Sequence, residues 1–222
     1  MPSARTLILT FHGLGKPPDG LLEAERKVWA PVEWFEAIVD RLPRQGVELA
    51  FDDGNASDIE HALPALSLRG MTAHFFVLAG RIGAEGYLSA QEVSSLHTAG
   101  MTIGSHGLHH RDWRTLGGDE LENELVVSRR TLAEIIGEHI VEAACPFGSY
   151  DRRVLRAARA AGYRRIYNSD GGAGSAHSWL VPRTTVNRSH PLEYWLDLAA
   201  AGAPGARPGS MLLGKRLIKR LR

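Results

Sequence analysis

Apolar residues along this chain fall into two alternating arrangements. Short unbroken runs at Thr6 to Phe11, Val47 to Phe51, Ala73 to Leu78, Met101 to Ser105, Val141 to Cys145 and Arg165 to Asn168 have the length and side-chain content of buried strands. Between them, apolar residues recur three and four apart. Pro31 to Arg44 carries Val32, Phe35, Ile38, Val39 and Leu42, and Asp119 to Ile136 carries the stripe Leu121, Leu125, Leu132 and Ile136. Asp151 to Ala161 is a basic helix. Ser57-Asp58-Ile59-Glu60 and Ser89-Ala90-Gln91-Glu92 have capping-box spacing, and Gly46, Gly70, Gly100 and Gly162 stand where helices stop. This rhythm predicts one α/β domain built from parallel βα units.

The last quarter of the chain is less regular. Gly171 to Ser178 is rich in Gly, Ala and Ser and reads as a flexible loop, before a short strand near Leu180 to Val186 and a helix after Pro191. Residues 1–201 are therefore expected to form the domain, and residues 202–222 a linker and a basic tail. In that tail Leu213, Leu217 and Leu221 recur every four residues among Lys and Arg, the pattern of a short amphipathic helix that either packs on the domain or makes peripheral contact with an anionic membrane.

Composition narrows the function classes. The 222 residues, 44% of them hydrophobic and 23% charged, lie in the ordinary globular range, and a net charge of +1 argues against nucleic acid as a partner. A single cysteine, Cys145, excludes an internal disulfide framework and a cysteine-rich zinc site. The run Leu7 to Phe11 is too short for a signal-peptide core or a membrane span, so the expected location is the cytoplasm or the inner face of the membrane.

The candidate chemistry lies at strand ends. Asp52 and Asp53 close the run Glu48 to Phe51 just before Gly54, and burying two adjacent acids costs on the order of several kcal/mol unless a cation or a proton separates their roles. Ser105-His106-Gly107-Leu108-His109-His110 supplies imidazoles after another strand. One Asp and two His suit a divalent metal, leaving the other Asp as a base. In a parallel βα barrel the loops after the strands share one face, which makes Asp52, Asp53, His106 and His110 neighbours.

These residues resemble the polysaccharide deacetylases of carbohydrate esterase family four over roughly Leu7 to Leu196. Phe51-Asp52-Asp53-Gly54 is similar to the family's first motif, and His106 to His110 to its second, a His-x-x-x-His. The resemblance implies a single-domain distorted (β/α)7 barrel in which Asp53, His106 and His110 hold the metal and Asp52 is the general base. That spacing favours His110 over His109. The ion implied is zinc, with nickel, cobalt, manganese and iron as alternatives, and the partner is an N-acetylated carbohydrate.

Cys145-Pro146-Phe147-Gly148 resembles the third motif, but Ala144 stands where that motif usually has the arginine that holds the base. Arg183, at the end of a late strand, is the expected substitute. The late Leu-x-His motif that supplies the acid is poorly matched at Val186 to His190. A circularly permuted branch of the family carries this strand at the N-terminus, where Leu9-Thr10-Phe11-His12-Gly13 stands. His12 is therefore the expected acid, with His190 as the second choice. Phe147, Gly148 and Tyr150 are the expected substrate-binding residues. The implied activity is removal of N-acetyl groups from a sugar or polysaccharide precursor; an O-acetyl esterase, another C–N amide hydrolase, or a non-catalytic glycan-binding barrel are the alternatives.

Overall fold

The computed structural model describes residues 5–175 and 177–205. Six parallel strands follow the expected runs: β1 (Arg5–Phe11), β2 (Val47–Asp53), β3 (His74–Val77), β4 (Thr102–Ser105), β5 (Glu142–Ala144) and β6 (Arg165–Asn168). The helices between them are α1 (Glu23–Arg26) and α2 (Val32–Val39), α3 (Leu63–Leu68), α4 (Ala90–Thr98), α5 (Gly118–Glu122) and α6 (Ser128–Ile136), and α7 (Arg152–Ala160). Two later strands, β8 (Leu180–Pro182) and β9 (Thr184–Thr185), interrupted at Arg183, join the sheet's two sides: β8 pairs with β6 and β9 with β1. The result is a nearly closed, distorted (β/α)7 barrel in one domain.

Strand alternation sorts the core into two shells. Outward-facing Phe11, Phe51 and Phe75 stack in series and meet Phe35 of α2. Inward-facing Ile8, Ala50, Phe76, Ala144, Tyr167 and Val181 form a separate plug inside the barrel. Gly104 of β4 makes room for that plug, since a Cβ there would stand 2.5 Å from the Phe76 ring. Below the plug, Nδ1 of His74 lies 2.9 Å from Glu142, its Nε2 3.4 Å from Glu48, and the Tyr167 hydroxyl donates to Glu142 at 3.0 Å.

Several local expectations change. Ser89 caps α4 in the expected box with Glu92. Ser57 makes no such cap, because its hydroxyl accepts the Leu14 N–H at 3.1 Å and a π-helical turn, Asp58–Ala62, leads into α3 instead. The expected long helix from Asp119 is divided by a second π-turn, Asn123–Val127, between α5 and α6. The segment read as a flexible loop contains a strand, β7 (Ala173–Ser175), antiparallel to β1; Gly174 permits it, since a Cβ there would stand 2.6 Å from Pro182. The last helix, α8 (Leu192–Gly205), carries a non-helical break at Gly202, where the linker is expected to begin. Residues 203–205, expected in the linker, continue α8, and residues 206–222, with the remaining linker and the basic amphipathic tail, lie outside the described residues. Among the described residues no helix is long and apolar enough to cross a membrane.

Candidate active site

The C-terminal ends of the strands gather most of the expected residues. Asp52 points into the barrel in register with Phe76 and is 2% exposed. Asp53 breaks the strand's alternation with a φ of 78°, so both carboxylates serve the same mouth. His106 follows β4 directly. Its Nε2 lies 3.6 Å from Asp53 Oδ1 and 3.8 Å from Asp52 Oδ2, and His110 Nε2 is also 3.6 Å from Asp53 Oδ1.

The loop from His106 to His110 is held from behind. Glu124, brought inward by the π-turn before α6, accepts the Leu108 N–H at 2.8 Å and the His109 N–H at 3.1 Å. Gly107 has a φ of 87° and a Cβ there would stand 2.5 Å from Glu124, so glycine is required. Glu124 is a supporting residue that sequence reasoning missed; its acid in an otherwise apolar stripe was the available signal.

Asp53, His106 and His110 each offer one ligand atom within 4.8 Å of the others. The chemistry of this set fits a divalent cation. Asp53 Oδ1 is buried without a hydrogen-bond partner among the described residues. Nδ1 of His106 lies 2.9 Å from the Ala144 carbonyl, where it donates, leaving the Nε2 lone pair turned toward the carboxylates. Burial and the neighbouring His106 lower the His110 pKa to about 4, so its imidazole is neutral and able to ligate at neutral pH. Among the described residues His109 is not part of a ligand set; its ring stands against Gly80.

Among the described residues, three non-glycine residues have positive φ, Asp53, His110 and Phe147, all at this mouth. Such conformations cost on the order of 1–3 kcal/mol each and collect where surrounding structure over-determines a functional geometry. Phe147 is 67% exposed and its ring centroid lies 4.4 Å from that of His110.

Arg183 sits at the break between β8 and β9, fully buried, with its guanidinium 5.0 Å above the Phe76 ring. It grips Asp52 with two hydrogen bonds, Nη1 to Oδ1 at 2.5 Å and Nη2 to Oδ2 at 2.8 Å. Burial alone would raise the Asp52 carboxyl, but Arg183, then His106, hold it well below the usual carboxylate range. His12 leaves the end of β1 with its Nε2 3.9 Å from Asp52 Oδ2, and its carbonyl accepts from Asn55 at 3.1 Å. Asp58 is a buried acid that sequence reasoning had given only a capping role. Among the described residues both its oxygens lack a hydrogen-bond partner, and burial together with the charges of Asp53 and Asp52 pushes its carboxyl well above the usual range.

Above this cluster opens a cleft of about 630 Å³ whose lining includes His12, Trp29, Asp53, Tyr87, His110 and Phe147. Three expected residues belong neither to this cleft nor to the cluster beneath it. Tyr150 is buried with its hydroxyl donating to Asp170 at 2.6 Å. Gly148 is buried, and its N–H donates to the Cys145 carbonyl at 2.9 Å. His190 is exposed and stacks on Tyr194 at 4.2 Å.

Carboxylates and imidazoles converging above the strand ends of a barrel stand where such folds place their active sites. The polysaccharide deacetylase family model matches residues 40–166, and the chain belongs to that family. YxkH of Bacillus subtilis (strain 168), assigned to the polysaccharide deacetylases, is 26% identical over 188 residues, covering 78% of this chain and 67% of the relative. The fold is similar to that of the Streptococcus pyogenes deacetylase PplD, solved in complex with acetate, at a TM-score of 0.77 and 18% identity over 88% of this chain and 98% of that one. IcaB from Ammonifex degensii superposes at a TM-score of 0.68 with 19% identity, over 89% of this chain and 96% of that chain. Family membership supports a hydrolase that deacetylates sugars.

Proposed function

We propose that the protein is a metal-dependent N-deacetylase acting on an N-acetylated sugar or polysaccharide precursor. Asp53, His106 and His110 are the residues that would hold the ion, zinc in the first instance. A divalent ion there supplies Lewis acidity toward the acyl oxygen and eases deprotonation of water. Asp52 is the base, and the Arg183 grip turns its oxygens toward the cluster while keeping it ionised. His12, across Asp52, protonates the departing amine. The Gly148 N–H is committed to the Cys145 carbonyl, so the Phe147 N–H is the backbone donor proposed for the oxyanion.

The observation that carries this reading is the difference between adjacent acids: Asp52 takes one Arg183 hydrogen bond on each oxygen, while Asp53 Oδ1 is buried without a hydrogen-bond partner among the described residues and lies 3.6 Å from each of two imidazoles. The position of β1, between β2 and β9 with His12 at its end, supports the permuted order of motifs. A cytoplasmic or membrane-face precursor is the proposed substrate pool. The test is acetate release from a panel of N-acetylated and O-acetylated sugars with added divalent metals. The reading expects metal-stimulated release from N-acetyl substrates. Release from O-acetyl sugars alone would replace it with an esterase, and stoichiometric metal without any hydrolysis would replace it with a glycan-binding barrel.

A further inference from the structure

The basic helix α7 carries four arginines, Arg152, Arg153, Arg156 and Arg159, and no acid within its bounds. Its N-cap, Asp151, is occupied by the Val154 N–H at 2.8 Å. The helix is sharply two-sided. Val154 and Ala158 are buried against the barrel, whereas Arg152, Leu155, Arg156 and Arg159 stand at i, i+3, i+4 and i+7, one continuous stripe. That stripe and the segment Ser178-Trp179-Leu180 enclose a concavity of about 580 Å³ on the outside of the barrel. It shares no residue with the catalytic cleft.

Two properties of this concavity point to a ligand. Among the described residues no carboxylate lines it. Elsewhere arginines spend their donors on acids, as in Arg69 with Asp40, Arg111 with Glu120 and Arg165 with Glu142, or on backbone carbonyls, as in Arg129 and Arg188. Arg156 has no ion pair among the described residues, and the Arg159 guanidinium lies 4.4 Å from the Trp179 ring centroid rather than on an acid. Stacking fixes that guanidinium while leaving its in-plane donors open. The second property is the apolar floor: Leu155, Trp179 and Leu180 lie among the arginines, which an ion alone would not require.

We propose that this concavity binds the phosphate headgroup of an anionic lipid, with Arg156 and Arg159 pairing to phosphate oxygens and Leu155, Trp179 and Leu180 covering the adjoining apolar part. Planar guanidinium groups match phosphate in bidentate fashion, and a tryptophan beside them suits a membrane boundary. A nucleic acid fits less well. Tracking a polynucleotide takes roughly six to ten phosphate contacts, whereas these arginines converge on one concavity in a chain of net charge +1.

The test is titration of the full chain with dioctanoyl phosphatidic acid below its critical micelle concentration, following the indole N–H resonance of Trp179, assigned with Trp179→Phe. The proposal expects a saturable shift whose midpoint moves at least about tenfold in the Arg156→Gln, Arg159→Gln double variant. Arg130→Gln, on the exposed face of α6, should leave the midpoint alone, and acetate release should be unchanged in every arginine variant. No saturable shift, or equal midpoints for parent and double variant, overturns the proposal. Inorganic phosphate binding as tightly as the lipid, or a short single-stranded oligonucleotide binding more tightly, overturns the lipid assignment.

Discussion

Asp52 and Arg183 stand 131 residues apart in sequence and meet as a buried bidentate ion pair. The pair joins β2 to the break that closes the barrel, so one contact serves both the base and the fold. Removing Arg183 leaves a carboxylate buried and unpaired, which costs about 3–5 kcal/mol.

Arg183→Met is therefore expected to lower stability by that order and kcat/KM by about a hundredfold or more. Arg183→Lys keeps the charge without the fork and should fall between. The folded pKa of Asp52 is depressed, so the pair's stabilising contribution is present above the unfolded value of about 3.9 and is lost as pH falls through the folded value. Removing the arginine raises the Asp52 pKa, so the acid limb of the kcat/KM profile should move to higher pH. An unmoved limb would detach Arg183 from the base.

Glu124 holds the histidine loop through two backbone N–H groups. Glu124→Ala strands both donors and is expected to cost about 1–3 kcal/mol for each that stays buried and unsatisfied. Because those donors lie between His106 and His110, metal affinity should fall as well. Equilibrium dialysis with zinc, compared with urea unfolding, separates the two effects. A variant that loses stability but keeps parental metal affinity would make Glu124 purely structural.

At the opposite mouth, burial opposes charge on His74, but the carboxylates of Glu142 and Glu48 outweigh it and bring its pKa up to about 9. A raised folded pKa means a contribution fully present below the unfolded value of about 6.5 and lost as pH rises through about 9. The carboxyls of Glu48 and Glu142 are lowered, so their contribution is present above about pH 4.3 and disappears toward acid. Urea unfolding should place greatest stability between these limits, with a decline from pH 7 to 9 of a few kcal/mol at most. His74→Gln should abolish that decline; a decline of unchanged size would assign it to other groups.

Much of the barrel was legible because its strands and helices bury one consistent face. Phe51 and Asp52 point to opposite sides of one strand, and that alternation is written in the residues themselves. The clustering of Asp53, His106 and His110 was legible for a related reason, since each follows a strand whose end opens on the same mouth. What escaped was decided by tertiary partners. Ser57 has a capping residue's spacing, yet Leu14 takes its hydroxyl. Glu124 sits in a helical stripe, and only the π-turn turns it toward the loop. Ala173 to Ser175 has weak strand character and becomes a strand because β1 offers an edge. Tyr150 follows the third motif closely, but Asp170 draws its hydroxyl into the interior.

The central claim is that two adjacent aspartates divide the work, Asp53 toward the metal and Asp52 as base. Metal content and acetate release measured together on Asp52→Asn and Asp53→Asn test it most directly. The account predicts that Asp52→Asn keeps a full equivalent of metal while losing at least about a hundredfold in rate, and that Asp53→Asn loses both. An Asp52→Asn enzyme that still hydrolyses at the parental rate, or an Asp53→Asn protein that keeps its metal with parental affinity, would contradict it.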